Sequence, residues 1–120
     1  MPLVVVRHHA GADPGRLTAL VPVLCEAVSA LLCCEDQGHE VVVTPEMVKV
    51  RFEVISELDH NMPDVLVEVE ARAYASRLAR AEAMAARLCD VLAPLMPAET
   101  SWAVWFKLCV GGWHASRRPD

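Results

Sequence analysis

The first two residues, Met1 and Pro2, carry the most distinctive chemistry in this chain of 120 residues. Methionine aminopeptidases remove Met1 when proline follows it, so we expect the mature chain to begin with the secondary amine of Pro2. The pKa of a terminal amine is about 8, and burial or a nearby cation lowers it toward neutrality. Pro2 is therefore a candidate general base.

The residues that follow predict a rigid support for this amine. Residues 3–6 form a short apolar strand, and Asp13-Pro14 has the residue types of a helix start, with Asp as the N-cap. Apolar residues then recur every three or four positions as far as Leu32, which predicts an amphipathic helix of about five turns. Residues 35–38 are predicted to end this helix in a turn.

The middle of the chain predicts a second strand with two different faces. Residues 39–43 fit either a short strand or a packed loop, and Thr44-Pro45-Glu46 predicts one helical turn. Residues 48–55 alternate between apolar and polar side chains, so we expect a strand with one face in the core. The other face carries Arg51, which is expected either to bind a ligand or to pair with nearby glutamates.

The second half repeats this plan. We predict a strand at residues 64–71, a helix at 76–95 and a strand at 101–110. Arg16-Leu17 and Arg77-Leu78 are separated by 61 residues, and the same offset aligns the two first strands. The sequence thus predicts an α+β fold of two tandem β-α-β units, with a four-stranded mixed sheet and two helices on one face.

We expect one domain over residues 1–120, with pseudo-repeats at about 1–58 and 63–113 and a tail at 114–120. The hydrophobic content is 54%, which favours an oligomer. The net charge of −5 argues against a nucleic-acid partner. We find no basic signal segment and expect no window to suit a membrane span, so the predicted location is cytoplasmic.

Two other residue sets argue against metal chemistry. The five cysteines are odd in number and form no C-x-x-C pair, so we expect buried, reduced thiols rather than disulfides or a zinc site. Adjacent His8 and His9 point to opposite faces of a strand, which disfavours a shared metal ion. The sequence therefore predicts no metal site.

Pro2, the duplicated β-α-β plan and the prolines that precede each second strand, Pro45 and Pro97, together resemble the tautomerase superfamily. The length is similar to that of 5-carboxymethyl-2-hydroxymuconate isomerase and macrophage migration inhibitory factor. The resemblance implies a homotrimer with inward-facing sheets and no cofactor. It also implies that the proline nitrogen moves a proton within a small unsaturated 2-hydroxy or 2-keto acid.

The same resemblance suggests the site residues. Arg51 matches the second-strand arginine that binds substrate in 4-oxalocrotonate tautomerase, so it is expected to bind the substrate carboxylate and the forming enolate. Trp102 aligns with a pocket tyrosine, and Trp102 and Phe106 are candidate pocket walls. Lys107 and Arg72 are further candidates for binding the carboxylate.

Some positions depart from the family pattern. Ala12 stands where the short-chain enzymes have an arginine, so a diacid held at both ends would need Arg72, Arg77, Lys107 or a neighbouring subunit. Gly111-Gly112-Trp113 resembles the carboxy-terminal Val-Gly-Trp of macrophage migration inhibitory factor.

Three alternatives remain open. A protonated Pro2 would act as an acid, as in hydratases, dehalogenases or decarboxylases of the same superfamily. A non-catalytic trimeric binding protein would leave Pro2 chemically ordinary. A dimeric ferredoxin-like module would share only the topology.

Overall fold

Two β-α-β units share one sheet in the computed structural model, which describes residues 2–112. The strands are β1 (Leu3–His8), β2 (Cys34–Asp36), β3 (His39–Val41), β4 (Lys49–Val54), β5 (Val65–Arg72) and β6 (Trp102–Cys109), and the helices are α1 (Pro14–Leu32), α2 (Ala75–Ala79) and α3 (Ala81–Leu92). Short 3-10 turns cover Pro45–Met47 and Ala93–Leu95.

The main sheet has the strand order β4-β1-β5-β6. β1 is parallel to β4 and antiparallel to β5, and β5 is parallel to β6. Each unit therefore contributes a parallel pair, and the two first strands join the units at the centre. This is the predicted α+β fold with a four-stranded mixed sheet.

The core lies between one face of this sheet and the helices. The alternating residues Val4 and Val6 of β1 and Val67 and Val69 of β5 have no exposed surface, because their side chains all point to the helix side. Leu24 of α1 and Leu88 of α3 are also fully buried in this cluster, among others. The opposite face of the sheet carries the charged side chains and is called the open face below.

The second helix differs from the prediction of one continuous helix at residues 76–95. Arg80 has φ −112° and ψ 9° and separates α2 from α3. Its backbone N–H donates to the carbonyl of Arg77 at 3.1 Å, so the chain tightens there. The surrounding residues are good helix formers, and the sequence therefore carries no signal for the break.

A second difference is a hairpin between α1 and β4. β2 and β3 pair antiparallel, with Glu35 opposite Glu40. The turn between them contains Gln37 and Gly38, whose φ angles are 51° and 81°. Two consecutive positive φ angles match the tight hairpin turn whose twist suits paired strands. The segment left undecided at residues 39–43 is therefore strand at its start.

Gly38→Ala should lower the free energy of unfolding by about 1 kcal/mol, because an L side chain at this φ is strained even though nothing lies within 4 Å of the added Cβ. Gly15→Ala is the matched control, since it lies in the first turn of α1 without a positive φ, and it should be neutral or stabilising. Urea unfolding of both variants measures the difference. Equal stability of the two variants would contradict the assignment of this turn.

The sequence expectation about membrane-length segments is wrong for α1. This helix has 19 residues and a mean hydropathy of 1.6 over its best window, which suffices for a membrane span by length and composition alone. In the structure its buried positions, including Leu20, Leu24 and Val28, pack in the core. The apolar character of α1 thus includes the residues that hold it against the sheet.

Candidate active site

Pro2 lies at the head of β1, in an open cleft of about 600 Å³ at one end of the sheet. The residue is buried, and its carbonyl accepts a hydrogen bond of 3.1 Å from the backbone N–H of Lys49. Leu3 pairs with Glu70 in the antiparallel register of β1 and β5. One step further along both strands, Pro2 therefore lies at the end of β5, where Arg72 leaves the sheet.

Arg72 is the cation of this cleft that is available to a ligand. Its side chain is exposed and lines the cleft with Pro2. Within residues 2–112 its guanidinium forms no ion pair. Its guanidinium carbon lies over the ring of Tyr74, 5.2 Å from the ring centroid. An arginine without a carboxylate partner beside an amine is suited to bind a carboxylate ligand.

Arg77 lies in the wall of the same cleft, but each nitrogen of its guanidinium already donates a hydrogen bond to the backbone. Only 3% of its surface is exposed. Its Nε and Nη2 donate to the carbonyl oxygen of Leu32 at 3.0 and 2.8 Å, and its Nη1 donates to the carbonyl of Arg72 at 2.9 Å. Arg77 therefore caps the carboxyl end of α1, where a positive charge is stabilising.

Lys107 lies on the open face and is held by glutamates. Its Nζ is 3.3 Å from Oε1 of Glu70 and 3.7 Å from Oε2 of Glu68. The hydrogen bond that Lys107 donates to Glu70, followed by the charges of Glu70 and Glu68, raises the pKa of Lys107. Within one subunit the charge of Lys107 is paired with these two carboxylates. Its predicted role in substrate binding stays a prediction.

Arg51 also lies on the open face, in register with Val5. Its Nη2 is 2.7 Å from Oε2 of Glu53, and its side chain is 61% exposed. Val5 is three residues along β1 from Pro2, which corresponds to about 10 Å. Arg51 does not line the Pro2 cleft of its own subunit, so its predicted role requires that it reach the cleft of a neighbouring copy.

These pairs belong to one network across the open face. Arg7 of β1 donates to Glu53 of β4 at 3.0 Å and to Glu68 of β5 at 2.6 Å. The hydrogen bond that Arg7 donates to Glu68 raises the pKa of Arg7 above its usual value. Glu68 then approaches Lys107 on β6, so the network joins all four strands. Burial of Glu68 is tolerated because two cations face its carboxylate.

Trp102 and Phe106 lie on the helix side of β6 and not in the Pro2 cleft. Phe106 is 6% exposed and belongs to the core, opposite Val69. Trp102 is half-buried against the core, seven residues from Cys109 at the cleft end of β6, which corresponds to about 23 Å. Within one subunit neither residue lines the cleft, and their role as pocket walls stays a prediction.

A separate, mainly apolar cavity of about 240 Å³ lies at the opposite end of β1. Its lining includes His9, Ala12, Arg16, Leu17 and Met96. None of the residues predicted to act on a substrate lines it. It has the apolar surface of a binding site without the amine, so we place the candidate active site at Pro2.

The cysteines differ from the expectation of buried thiols. Cys25 and Cys89 are half-buried, whereas Cys109 is exposed and lines the Pro2 cleft. Burial, followed by the charge of Glu46, raises the pKa of the Cys25 thiol, and burial with the charge of Asp90 raises the pKa of Cys89.

Cys109 should therefore react with iodoacetamide before Cys25 and Cys89, because the thiolate is the reactive form and a raised pKa reduces its fraction near neutral pH. The rates at Cys25 and Cys89 should rise with pH as their thiols lose protons. Peptide mass spectrometry at successive times measures the order of modification. If Cys25 reacts as fast as Cys109, the cleft is not accessible as described.

Sequence reasoning missed Tyr74 as a member of the cleft and weighed Arg77 only as a substitute anchor. The contact of Arg77 with Leu32 joins residues 45 positions apart, so no local pattern could reveal it.

Trp113 and the tail at residues 114–120 lie outside the described part of the chain, and so does Met1. Within the described residues, no group of three His, Cys, Asp or Glu side chains is arranged to hold a metal ion.

No protein-family model and no curated protein sequence matches the chain. Solved structures do match. A protein of unknown function from Vibrio cholerae aligns with a TM-score of 0.64 at 16% identity, covering 96% of this chain and 84% of that one. A fused 4-OT asymmetric trimer aligns with a TM-score of 0.58 at 19% identity, covering 90% of this chain and 86% of that one. A 5-carboxymethyl-2-hydroxymuconate delta-isomerase aligns with a TM-score of 0.56 at 17% identity, covering 100% of this chain and 89% of that one.

At these identities the likeness establishes the fold. The chain has the fold of the tautomerase superfamily, to which the 4-OT and isomerase structures belong. The fold resemblance inferred from Pro2 and the duplicated units is confirmed.

Proposed function

We propose, from the tautomerase fold and the cleft at Pro2, that this chain is a cofactor-independent tautomerase or isomerase of a small unsaturated 2-hydroxy or 2-keto acid. One observation carries the proposal: buried Pro2 shares a cleft with Arg72, whose guanidinium has no carboxylate partner among the described residues. A candidate base and a candidate carboxylate anchor therefore share one cleft, which supports the proposal. The matched 4-OT and isomerase structures support the same class of chemistry.

The proposed reaction uses the free amine of mature Pro2. Arg72 binds the substrate carboxylate with charge-assisted hydrogen bonds. The neutral nitrogen of Pro2 takes a proton from the hydroxyl or carbon of the substrate, and the electron pair moves through the conjugated system. The proline ammonium then returns that proton to the carbon or oxygen that has gained the electron pair. No net oxidation occurs, and the amine is regenerated.

The proposed base requires a neutral amine at Pro2. Burial disfavours the charged form of an amine, and the cations Arg72 and Arg77 line the same cleft, so we expect the pKa of the Pro2 amine to lie below that of an ordinary terminal amine. Glu70 also lines the cleft and opposes them, but its carboxylate is bound by Lys107 at 3.3 Å. A stronger influence of Glu70 would favour the alternative in which protonated Pro2 acts as an acid.

The proposal includes a homotrimer. The fused 4-OT structure is a trimer, which supports this assembly. The open face carries Trp105, whose surface is 59% exposed, among charged side chains of both signs. Packing of such faces between copies would cover Trp105 and could bring Arg51 of the same face close to a neighbouring cleft. The five unpaired thiols accord with the cytoplasmic location that we propose.

The test is an assay of phenylpyruvate and 2-hydroxymuconate tautomerisation after intact-mass measurement of the purified protein. We expect the mass of the chain without Met1 and turnover of at least one of these acids. A retained Met1 would make Pro2 an amide nitrogen without basicity and would contradict the proposal. A trimmed but inert protein would favour the alternative of a trimeric binding protein.

A further inference from the structure

We infer that Tyr74 positions Arg72 as the single carboxylate anchor of the Pro2 cleft, so that the cleft takes monocarboxylates with an apolar tail in preference to dicarboxylates. The inference rests on the proposed function, which identifies the Pro2 cleft as the site. It adds to that function the class of substrate. Its primary measurement is equilibrium binding, which does not require turnover.

The first step is that the cleft holds a second arginine that cannot serve as an anchor. All three nitrogen groups of the Arg77 guanidinium donate to the carbonyls of Leu32 and Arg72. A ligand that drew Arg77 away would break all three of these hydrogen bonds, two of which are buried at Leu32, and this is costly. Arg77 thus belongs to the scaffold, and Arg72 is left as the guanidinium that faces a ligand.

The second step is that Arg72 is held in place from two sides. Its backbone carbonyl accepts the 2.9 Å bond from Nη1 of Arg77, and its guanidinium carbon lies 5.2 Å from the centroid of the Tyr74 ring. The same ring is contacted by Arg77 at 4.8 Å. Arg77, which is held by its hydrogen bonds, therefore fixes the ring of Tyr74, and Tyr74 in turn orients the guanidinium of Arg72. An oriented side chain loses less entropy when it binds a ligand.

The third step concerns the rest of the cleft. Its other walls include Leu3, Val41, Val42 and Met47, which are apolar. Among the described residues, the other charged side chain that lines the cleft is Glu70, a carboxylate. A second carboxylate on the ligand would meet these walls or Glu70 and would lose its hydration without gaining a cation. An apolar tail is accepted there without that loss.

Lys107 and Arg51 do not supply the missing second anchor within a subunit. Lys107 is bound to Glu68 and Glu70, and Arg51 is bound to Glu53 on the open face. If a neighbouring copy brought Arg51 into the cleft, the carboxylate of Glu53 would accompany it, because it lies 2.7 Å from Nη2 of Arg51. That carboxylate would oppose a second carboxylate on the ligand.

Sorbate and muconate form a matched probe pair, because they share a diene chain and differ in having a methyl group or a second carboxylate at its end. Calorimetric titration of the trimmed wild-type protein should show sorbate binding at least about tenfold more tightly than muconate. Arg72→Gln should weaken sorbate binding by about tenfold or more, because it removes the charge-assisted hydrogen bonds.

Tyr74→Leu should weaken sorbate binding about fivefold through the loss of the ring contact. Tyr74→Phe should restore it, since the ring face is kept. Sorbamide, which lacks the charge, is the control ligand: Arg72→Gln and Tyr74→Leu should weaken its binding less than they weaken the binding of sorbate. A merely structural role of Tyr74 would lower the affinity for both ligands to the same extent.

Each outcome decides the inference. Equal affinity for sorbate and muconate, or wild-type sorbate binding by Tyr74→Leu, would overturn it. So would loss of sorbate binding in Arg51→Gln with full binding in Arg72→Gln, which would assign the anchor to Arg51. Selective sorbate binding by a protein without tautomerase turnover would uphold the inference and remove only the proposed catalytic function.

Discussion

Pro2→Ala is expected to lower kcat/KM for tautomerisation by about a hundredfold or more, which is the range for loss of a general base. The variant keeps a terminal amine after Met1 is removed, but it loses the rigid ring that holds the nitrogen at the head of β1. Its primary amine samples more orientations, so the base is less often aligned with the substrate. Steady-state kinetics with the best substrate of the wild type measures the effect.

Pro63→Ala is the matched control, because Pro63 lies in the loop before β5 and does not line the cleft. It should keep the activity of the wild type within about twofold. Thermal unfolding should be similar for both variants. An active Pro2→Ala protein with unchanged kcat/KM would contradict this prediction, because it would mean that the proline ring is not needed to align the terminal amine.

Arg77→Met is expected to lower the free energy of unfolding by about 3 kcal/mol, because it removes three hydrogen bonds and leaves the carbonyls of Leu32 and Arg72 without donors. The carboxyl end of α1 also loses the charge that complements its dipole. Urea unfolding measures the change, and the Tm should fall by more than about 10 °C.

Arg80→Met is the matched control for this prediction. Arg80 is exposed, and its hydrogen bonds to the carbonyls of Ser76 and Cys33 are longer, at 3.3 and 3.4 Å. We expect it to cost less than about 1 kcal/mol. If both variants lost the same stability, Arg77 would be an ordinary surface arginine and could not fix Tyr74 and Arg72.

The fold was predictable because it depends on periodicity. The two strand-helix-strand periods and the alternation in β4 and β5 fix which faces enter the core. The β2–β3 hairpin was missed because its strands are three residues long and polar. Its turn could have been recognised from Gln37-Gly38, since glycine accepts the positive φ that the turn needs.

The site was less predictable, because it depends on contacts between distant residues. Pro2 was recognised from its chemistry, and Arg72 was one of several cations that the sequence could not rank. Alternation along β6 places Phe106 with Val104 and Leu108 on the core side, and this signal was available. The bonds from Arg77 to Leu32 and the ring of Tyr74 between two arginines follow only from the assembled structure.

The pKa of the Pro2 amine in the trimmed protein tests the account most directly. Labelled with nitrogen-15, its resonance can be followed by NMR as the pH is raised. We predict a pKa below about 8, the value of an ordinary terminal amine, with kcat/KM rising over the same pH range as the nitrogen loses its proton. A pKa above that value would contradict the role of Pro2 as the base and would make it an acid.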